Sequence, residues 1–378
     1  MVTPYQFQCD YIAGCTPQIM DALLHHNLTE VPGYCEDMFC KEAEAKIREA
    51  CKSPDAGVFF FAGGTICNLS LISAVLRPWQ GVLAAPSGHI AAHETGAIEA
   101  TGHKVLEIDA VDGKLTAEAV RKALVSYRTN AERIFYVEPR LVYISNPTEL
   151  GTLYSLAELK ELSKVCREEG LFLYVDGARL AYALAAGDIK LEDYALLTDA
   201  FCIGGTKCGA LGCEALVITD QKLARDFLSA QRQRGALLSK GRLAGLSFST
   251  FFTDDLYGKI GKRAIEQAMM LKTAFVRAGI ELYIDSPTNQ QFVLLNDAAI
   301  EHLKGKFIWE DCGKHSDGRT IARFCTAWST TEKPCRHCLT RLAKWPRKQT
   351  PRKFLGMSGR RMIEIGCLPF FFYFLLIF

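Results

Sequence analysis

The sequence predicts an α/β protein: a mostly parallel sheet flanked by helices, followed by a smaller α+β lobe. Three observations lead there. Short runs that are apolar on both faces recur from residue 57 onward, and helical patterns follow them. Strands of that kind must be covered on both sides, the condition met by a parallel sheet between two helix layers. After about residue 225 the rhythm changes to long helices and short strands. A chain of 378 residues suits two domains or one large domain with a smaller lobe, at roughly 100–200 residues per domain.

The elements follow in order. Residues 58–62 are an apolar run between Gly57 and Gly63, and 65–76 form a helix stopped by Pro78. A second strand at 82–85 leads to a helical stretch at 89–100, and a third at 104–108 to a helix at 116–124. The fourth strand is 141–145. Ser155 and Glu158 have capping-box spacing, so a helix starts there, and Gly170 is its natural stop. Continuous apolar strands come next at 171–175, 201–203 and 215–219. A long helix over 260–278 and short strands near 281–284, 291–295 and 320–326 make the second lobe. The expected division is 1–245 for the large part, 246–332 for the small one, and 333–378 as an atypical tail.

Composition narrows the class. With 49% hydrophobic and 23% charged residues, the chain is no disordered protein, collagen-like fibre or polytopic membrane protein. The net charge of +2 conceals an asymmetry. Residues 333–378 carry ten Lys/Arg against one acid, leaving 34 of the 44 basic and 41 of the 42 acidic residues in 1–332. An acidic body has no general preference for nucleic acid. Residues 1–10 show neither a basic nor an apolar signal region, so the expected compartment is the cytoplasm and the 15 cysteines are expected to be reduced. Cys202, Cys208 and Cys213 lack paired zinc spacing, and Cys335 and Cys338 have no second pair. No metal site is expected.

In parallel sheets ligands sit beyond the carboxyl ends of the strands, so chemistry belongs to the loops there. Four such loops carry special residues. Gly63-Gly64-Thr65 opens a helix, where free N–H groups and the dipole favour a phosphate; a plain tight turn is the alternative. Ser87-Gly88-His89 puts an imidazole at a helix start, able to stack on a flat ring or move protons, or simply to cap the helix. Asp176 ends an apolar strand, and a buried carboxylate there needs a positive partner: Arg179, or a protonated heterocycle. Lys207 follows a strand amid glycines and small side chains, where a desolvated amine becomes nucleophilic. The absence of GxxxxGK[ST] and GxGxxG spacing disfavours a P-loop or a dinucleotide site. A lysine for a Schiff base, an aspartate for a pyridinium nitrogen and a glycine turn for a phosphate together describe a pyridoxal phosphate site.

The chain resembles the low-specificity threonine aldolases, within the β-eliminating lyase and threonine aldolase family of pyridoxal phosphate enzymes. The resemblance runs from about Phe7 to Thr331. It rests on the segments 32–37, 62–65, 89–99, 148–152, 174–179, 204–207 and 323–328. It implies an aspartate-aminotransferase-like (fold type I) architecture and a homotetramer, a dimer of dimers with cofactor sites at the subunit boundary. It also implies cleavage of L-threonine or L-allo-threonine to glycine and acetaldehyde. By position, Lys207 matches the cofactor lysine, Asp176 the ring-nitrogen partner, and Arg179 the base beside the phenolic oxygen. Gly64 and Thr65 match the phosphate turn, His89 the stacked imidazole, and Arg323 the carboxylate grip, with Tyr34 in the substrate-binding set. The β-hydroxyl base is His89, Glu149 or an ordered water. Rival readings are another pyridoxal phosphate lyase releasing pyruvate and ammonia, and a non-catalytic protein inactivated by its tail.

Two departures stand near the expected site: Cys35 where the family usually has glycine, and Cys9 in place of a small polar residue. The larger departure is the tail, where an acidic amphipathic helix is expected after Glu332. Lys333-Pro334 and a basic run come instead, ending in about ten apolar residues. That is short of the roughly 20 that span a bilayer; the abrupt shift after Glu332 makes a reading-frame change in the coding sequence the expected origin, with a membrane anchor the lesser alternative.

Overall fold

Periodicity and capping set the large lobe. In the computed structural model, which describes residues 3–344, the first elements are β1 (Tyr5–Gln6), α1 (Pro17–His25) and α2 (Met38–Ala50). Next come β2 (Gly57–Phe61), α3 (Gly64–Val75), β3 (Gln80–Ala84), α4 (His89–Ala92), β4 (Lys104–Glu107) and α5 (Ala117–Thr129). The series continues with β5 (Glu138–Ser145), α6 (Leu156–Glu169), β6 (Phe172–Asp176), α7 (Leu180–Ala186), α8 (Leu191–Leu197), β7 (Ala200–Gly204) and β8 (Glu214–Ile218). The capping box that starts α6 is present: the Glu158 N–H donates to Ser155 Oγ at 3.2 Å, and Ser155 N–H to Glu158 Oε2 at 2.8 Å. Gly170 ends that helix in the left-handed region, φ 65°.

The seven strands lie in the order β2-β8-β7-β6-β5-β3-β4. Only β8 runs against its neighbours, so the sheet is mostly parallel. Alternate residues of each central strand enter opposite cores. Leu173 and Val175 of β6 join one cluster and Tyr174 the other; Phe201 and Ile203 of β7 are divided from Cys202 in the same way. This two-sided burial is why these strands read as continuous apolar runs.

One expectation fails locally. The helical stretch at 89–100 is a single turn, α4, and the chain then leaves the helix through Thr95 (φ 53°) and Gly96 (φ 72°). Two successive left-handed residues cannot continue a right-handed helix.

The remaining elements are α9 (Gln221–Gln233), α10 (Arg242–Phe251), the 22-residue α11 (Leu256–Arg277), β9 (Leu282–Ile284), β10 (Gln290–Leu295) and α12 (Asp297–Leu303). Then follow β11 (Phe307–Ile308), β12 (Glu310–Lys314), β13 (Thr320–Cys325) and α13 (Glu332–Ala343). Four of the strands form an antiparallel sheet, β12-β13-β10-β9. Long α11 binds the two halves: a Cβ on Gly261 would lie 2.1 Å from the Ala181 carbonyl of α7, so only glycine admits that approach.

Residues 332–343, which the sequence places mostly in the tail, fold as α13, and Cys335, Cys338 and Leu342 join the core of the small lobe. Pro334 is tolerated because it sits in the first turn, where no intrahelical N–H is needed. The rest of the expected tail, from 345 on, lies outside the described residues.

Candidate active site

Because β2, β3, β5, β6 and β7 point the same way, their carboxyl ends share one edge of the sheet. Asp176 is the last residue of β6 and 5% exposed. Its Oδ2 accepts from Tyr143 OH at 2.7 Å and from Asn68 Nδ2 at 3.1 Å, and its Oδ1 from the Ala178 N–H at 2.9 Å. Burial pushes this carboxyl up. The His89 charge, the bonds from Tyr143 and Asn68, and the Lys207 charge outweigh it and hold Asp176 below the usual carboxylate range.

Asn68 ties this acid to a second one. Tyr174 OH donates to Asn68 Oδ1 at 2.8 Å, which fixes the amide so that its NH2 faces both Asp176 and Glu94, the latter at 2.8 Å. Glu94 Oε1 also lies 2.7 Å from His89 Nδ1. Burial lowers the His89 pKa, but Glu94 and Asp176 reverse the sign and leave it raised. The His89 N–H donates to Glu149 Oε1 at 2.9 Å, and Ser145 Oγ donates to the same oxygen at 2.6 Å. Burial is the largest influence on Glu149 and leaves its carboxyl raised.

Arg179 does not pair with Asp176. Its Nε and Nη2 donate to Asp10 at 2.6 and 3.0 Å, a bidentate clasp, and Asn289 Nδ2 donates to Asp10 Oδ2 at 2.8 Å. The guanidinium reaches the amino-terminal segment instead. Lys207 lies in a 3₁₀ turn after β7, its carbonyl accepting from Tyr182 OH at 2.7 Å. Among the described residues its Nζ makes no hydrogen bond or ion pair. Its charge nevertheless helps lower both Asp176 and Asp10.

His93 locates the other cations. Burial and then the charges of His89, Arg323, Lys207 and Arg179 all depress its pKa, so these groups share one field. Arg323, on β13, reaches that space across the lobes. Its Nη2 donates to the Gln8 carbonyl at 3.3 Å, while its Nε is buried and unpartnered among the described residues. At the end of β2, α3 starts without a side-chain cap, and a Cβ on Gly63 or Gly64 would meet nothing within 4 Å. Thr65 is exposed in that first turn.

Lys207, Asp176, Arg179, His89, Glu149 and Arg323 are thus joined by short contacts or a common field, and Gly64 and Thr65 open on the same edge. Tyr34 is not brought to them. It takes a left-handed φ of 58°, donates its N–H to Ser239 at 3.2 Å, and lies 4.8 Å below the Arg232 guanidinium. Sequence reasoning missed Asn68, Glu94 and Tyr143. No local pattern marks them: Glu94 stands between His93 and Thr95, and Asn68 lies within α3.

Residues 6–300 match the family described as beta-eliminating lyase. The chain belongs to the beta-eliminating lyase family. A low-specificity L-threonine aldolase of Pseudomonas sp. (strain NCIMB 10558) is 30% identical over 332 residues, 86% of this chain and 94% of that protein. The solved structure of Leishmania major threonine aldolase superposes with a TM-score of 0.87 at 42% identity, covering 90% of this chain and 99% of that one. A Thermus thermophilus aspartate aminotransferase superposes with a TM-score of 0.66 at 14% identity, over 91% and 92% of the two chains, which shows the aminotransferase-like fold. The chain therefore comes from a pyridoxal phosphate-dependent family. Its site fits that cofactor on three counts: an ionised buried Asp176, a Lys207 amine with no bonded partner, and an open, uncapped first turn of α3. No helix among the described residues is long and apolar enough to cross a membrane.

Proposed function

We propose that the protein is a pyridoxal phosphate-dependent lyase that cleaves L-threonine or L-allo-threonine to glycine and acetaldehyde. The observation that carries this reading is the convergence of ionised Asp176, Lys207 and the cations around His93 on one edge, in a chain whose relatives are named threonine aldolases. Pyridoxal phosphate, when bound, supplies an electron sink for breaking the Cα–Cβ bond.

The chain's own residues do the rest. Asp176, held ionised, would keep a proton on the ring nitrogen of the bound cofactor. Lys207 would present the amine that holds the cofactor, and the N–H groups at Gly64 and Thr65 would receive its phosphate. Arg323 takes the amino acid carboxylate through its unpartnered Nε edge, fixing which α-bond is aligned to break. Of the two side chains that could accept the β-hydroxyl proton, Glu149 is the better base. His89 is favoured in its protonated form by Glu94, and an imidazolium has no lone pair to offer. A carboxyl raised by burial takes a proton more readily than an exposed one.

The same reading includes a homo-oligomer, a dimer of dimers. Tyr11, Ile12, Met20, Leu24, Leu28 and Tyr34 are exposed on the amino-terminal segment, and a second copy would cover them. Tyr34 then serves the substrate pocket of that second copy. The described cysteines are all free, in keeping with a cytoplasmic location.

The test is a visible spectrum of the purified protein loaded with pyridoxal phosphate, followed by product analysis with L-threonine. A visible band that shifts with glycine or threonine, and release of glycine and acetaldehyde, is the expected result. Pyruvate and ammonia as products, or no spectral response to amino acids, would refute the reading.

A further inference from the structure

One buried acid near the lysine turn has no part in the chemistry above. Glu214 opens β8, the single reversed strand, so it stands at the edge where its neighbours end. It is 4% exposed and lies in register with Gly204 of β7 and Phe61 of β2, which precede the lysine turn and the phosphate turn. Its Oε2 accepts the Gly205 N–H at 2.7 Å. The turn around it is tightly packed: a Cβ on Gly204 would lie 2.2 Å from the Ala178 carbonyl, and one on Gly205 2.2 Å from that of Cys213. Tyr257 OH donates to the Gly204 carbonyl at 2.8 Å. Packing alone would be served by an apolar side chain, since a buried carboxylate carries a desolvation cost.

We propose that Glu214 is a positioning residue for Lys207: it holds the Gly205 amide of the lysine turn and, by gaining or losing its own proton, sets the charge state of the Lys207 amine. This rests on the reading of Lys207 as the cofactor's amine. The titratable groups facing Glu214 are Lys207, Asp176 on β6, Cys202 on β7, Cys208 and Cys213 in the connecting turn, and Tyr257 on α11. Of these only Lys207 is a cation. Burial pushes the Glu214 carboxyl up to about 7, against bonds from Thr206 and Gly205 and the attraction of Lys207. Above that pH a carboxylate faces the amine and favours its ammonium form; below it the partner is neutral.

The experiment measures the pH dependence of Lys207 acetylation by acetic anhydride in the full-length, cofactor-free chain, read by peptide mass spectrometry. A parallel absorbance titration uses the pyridoxal phosphate-loaded enzyme. The wild type should show an inflection near the value of about 7 given for Glu214. In Glu214→Gln, which keeps an acceptor for Gly205 and removes the charge, that inflection disappears. Glu214→Asp restores the inflection. Superimposable wild-type and Glu214→Gln profiles would overturn the proposal. Should Glu214→Gln fail to fold, a single featureless titration in the wild type would overturn it equally. A labelling profile that responds to Glu214→Gln in a chain that gives no visible band would keep the coupling of the two side chains and remove the cofactor assignment on which the positioning role rests.

Discussion

Replacing Asp10 by Asn tests how the large lobe holds Arg179. Asp10 is 1% exposed and accepts three hydrogen bonds, from Arg179 at 2.6 and 3.0 Å and from Asn289 at 2.8 Å. An asparagine keeps one acceptor oxygen and turns an NH2 toward another donor, leaving a buried guanidinium without its anion. Removing one member of a buried pair costs about 3–5 kcal/mol. At roughly 2 °C per kcal/mol for a chain of this size, Asp10→Asn should melt about 6 °C or more below the wild type at neutral pH. The pH dependence has a definite sign. Burial raises the Asp10 carboxyl, but Arg179, Lys207 and Asn289 outweigh it and hold it below its ordinary value. The stability it contributes is fully present above the unfolded pKa of about 3.9 and is lost as pH falls through the lower folded value. The gap between the two proteins should therefore stay constant from neutral pH down to about pH 5 and close in stronger acid. Differential scanning fluorimetry across a pH series reads both. A variant melting within about 1 °C of wild type at neutral pH, or a gap that persists in acid, would refute the assignment of that clasp.

Two further outcomes follow from the site. Glu94→Gln removes the anion that raises the His89 imidazole, so the His89 inflection in the pH–rate profile should move to lower pH, by up to about one unit; an unchanged profile would count against the contact. Gly177→Ala would place a Cβ 2.1 Å from the Cys202 carbonyl, a backbone atom, in the turn between Asp176 and Arg179. It should cost about 1–3 kcal/mol and weaken cofactor binding, measured by melting temperature and absorbance titration, whereas wild-type values for both would show that the turn has room to relax.

The strand ends carried their residues openly. Asp176, Lys207, His89 and the Gly63–Gly64 turn were legible because a polar or glycine break after an apolar run is a local signal, and parallel topology then forces those breaks onto one edge. Helix 89–100 misled because composition does not reveal that Thr95 and Gly96 take left-handed backbone. Glu94 and Asn68 were invisible for a different reason: each looks like an ordinary helical or loop residue until Tyr174 turns the amide between two carboxylates. Pairing was equally hidden. Sequence proximity suggested Asp176 for Arg179, and the partner is Asp10, 169 residues away.

By itself, then, the sequence determined the alternation of buried strands and helices, the parallel sheet and the kinds of reactive groups at its edge, because hydrophobic period and turn chemistry act over a few residues. Only tertiary structure decided which charges meet. Arg323 arrives from the small lobe, Asp10 from the amino-terminal segment and Glu214 on the one reversed strand. Electrostatic pairing depends on distances through space, which no local pattern in the chain encodes.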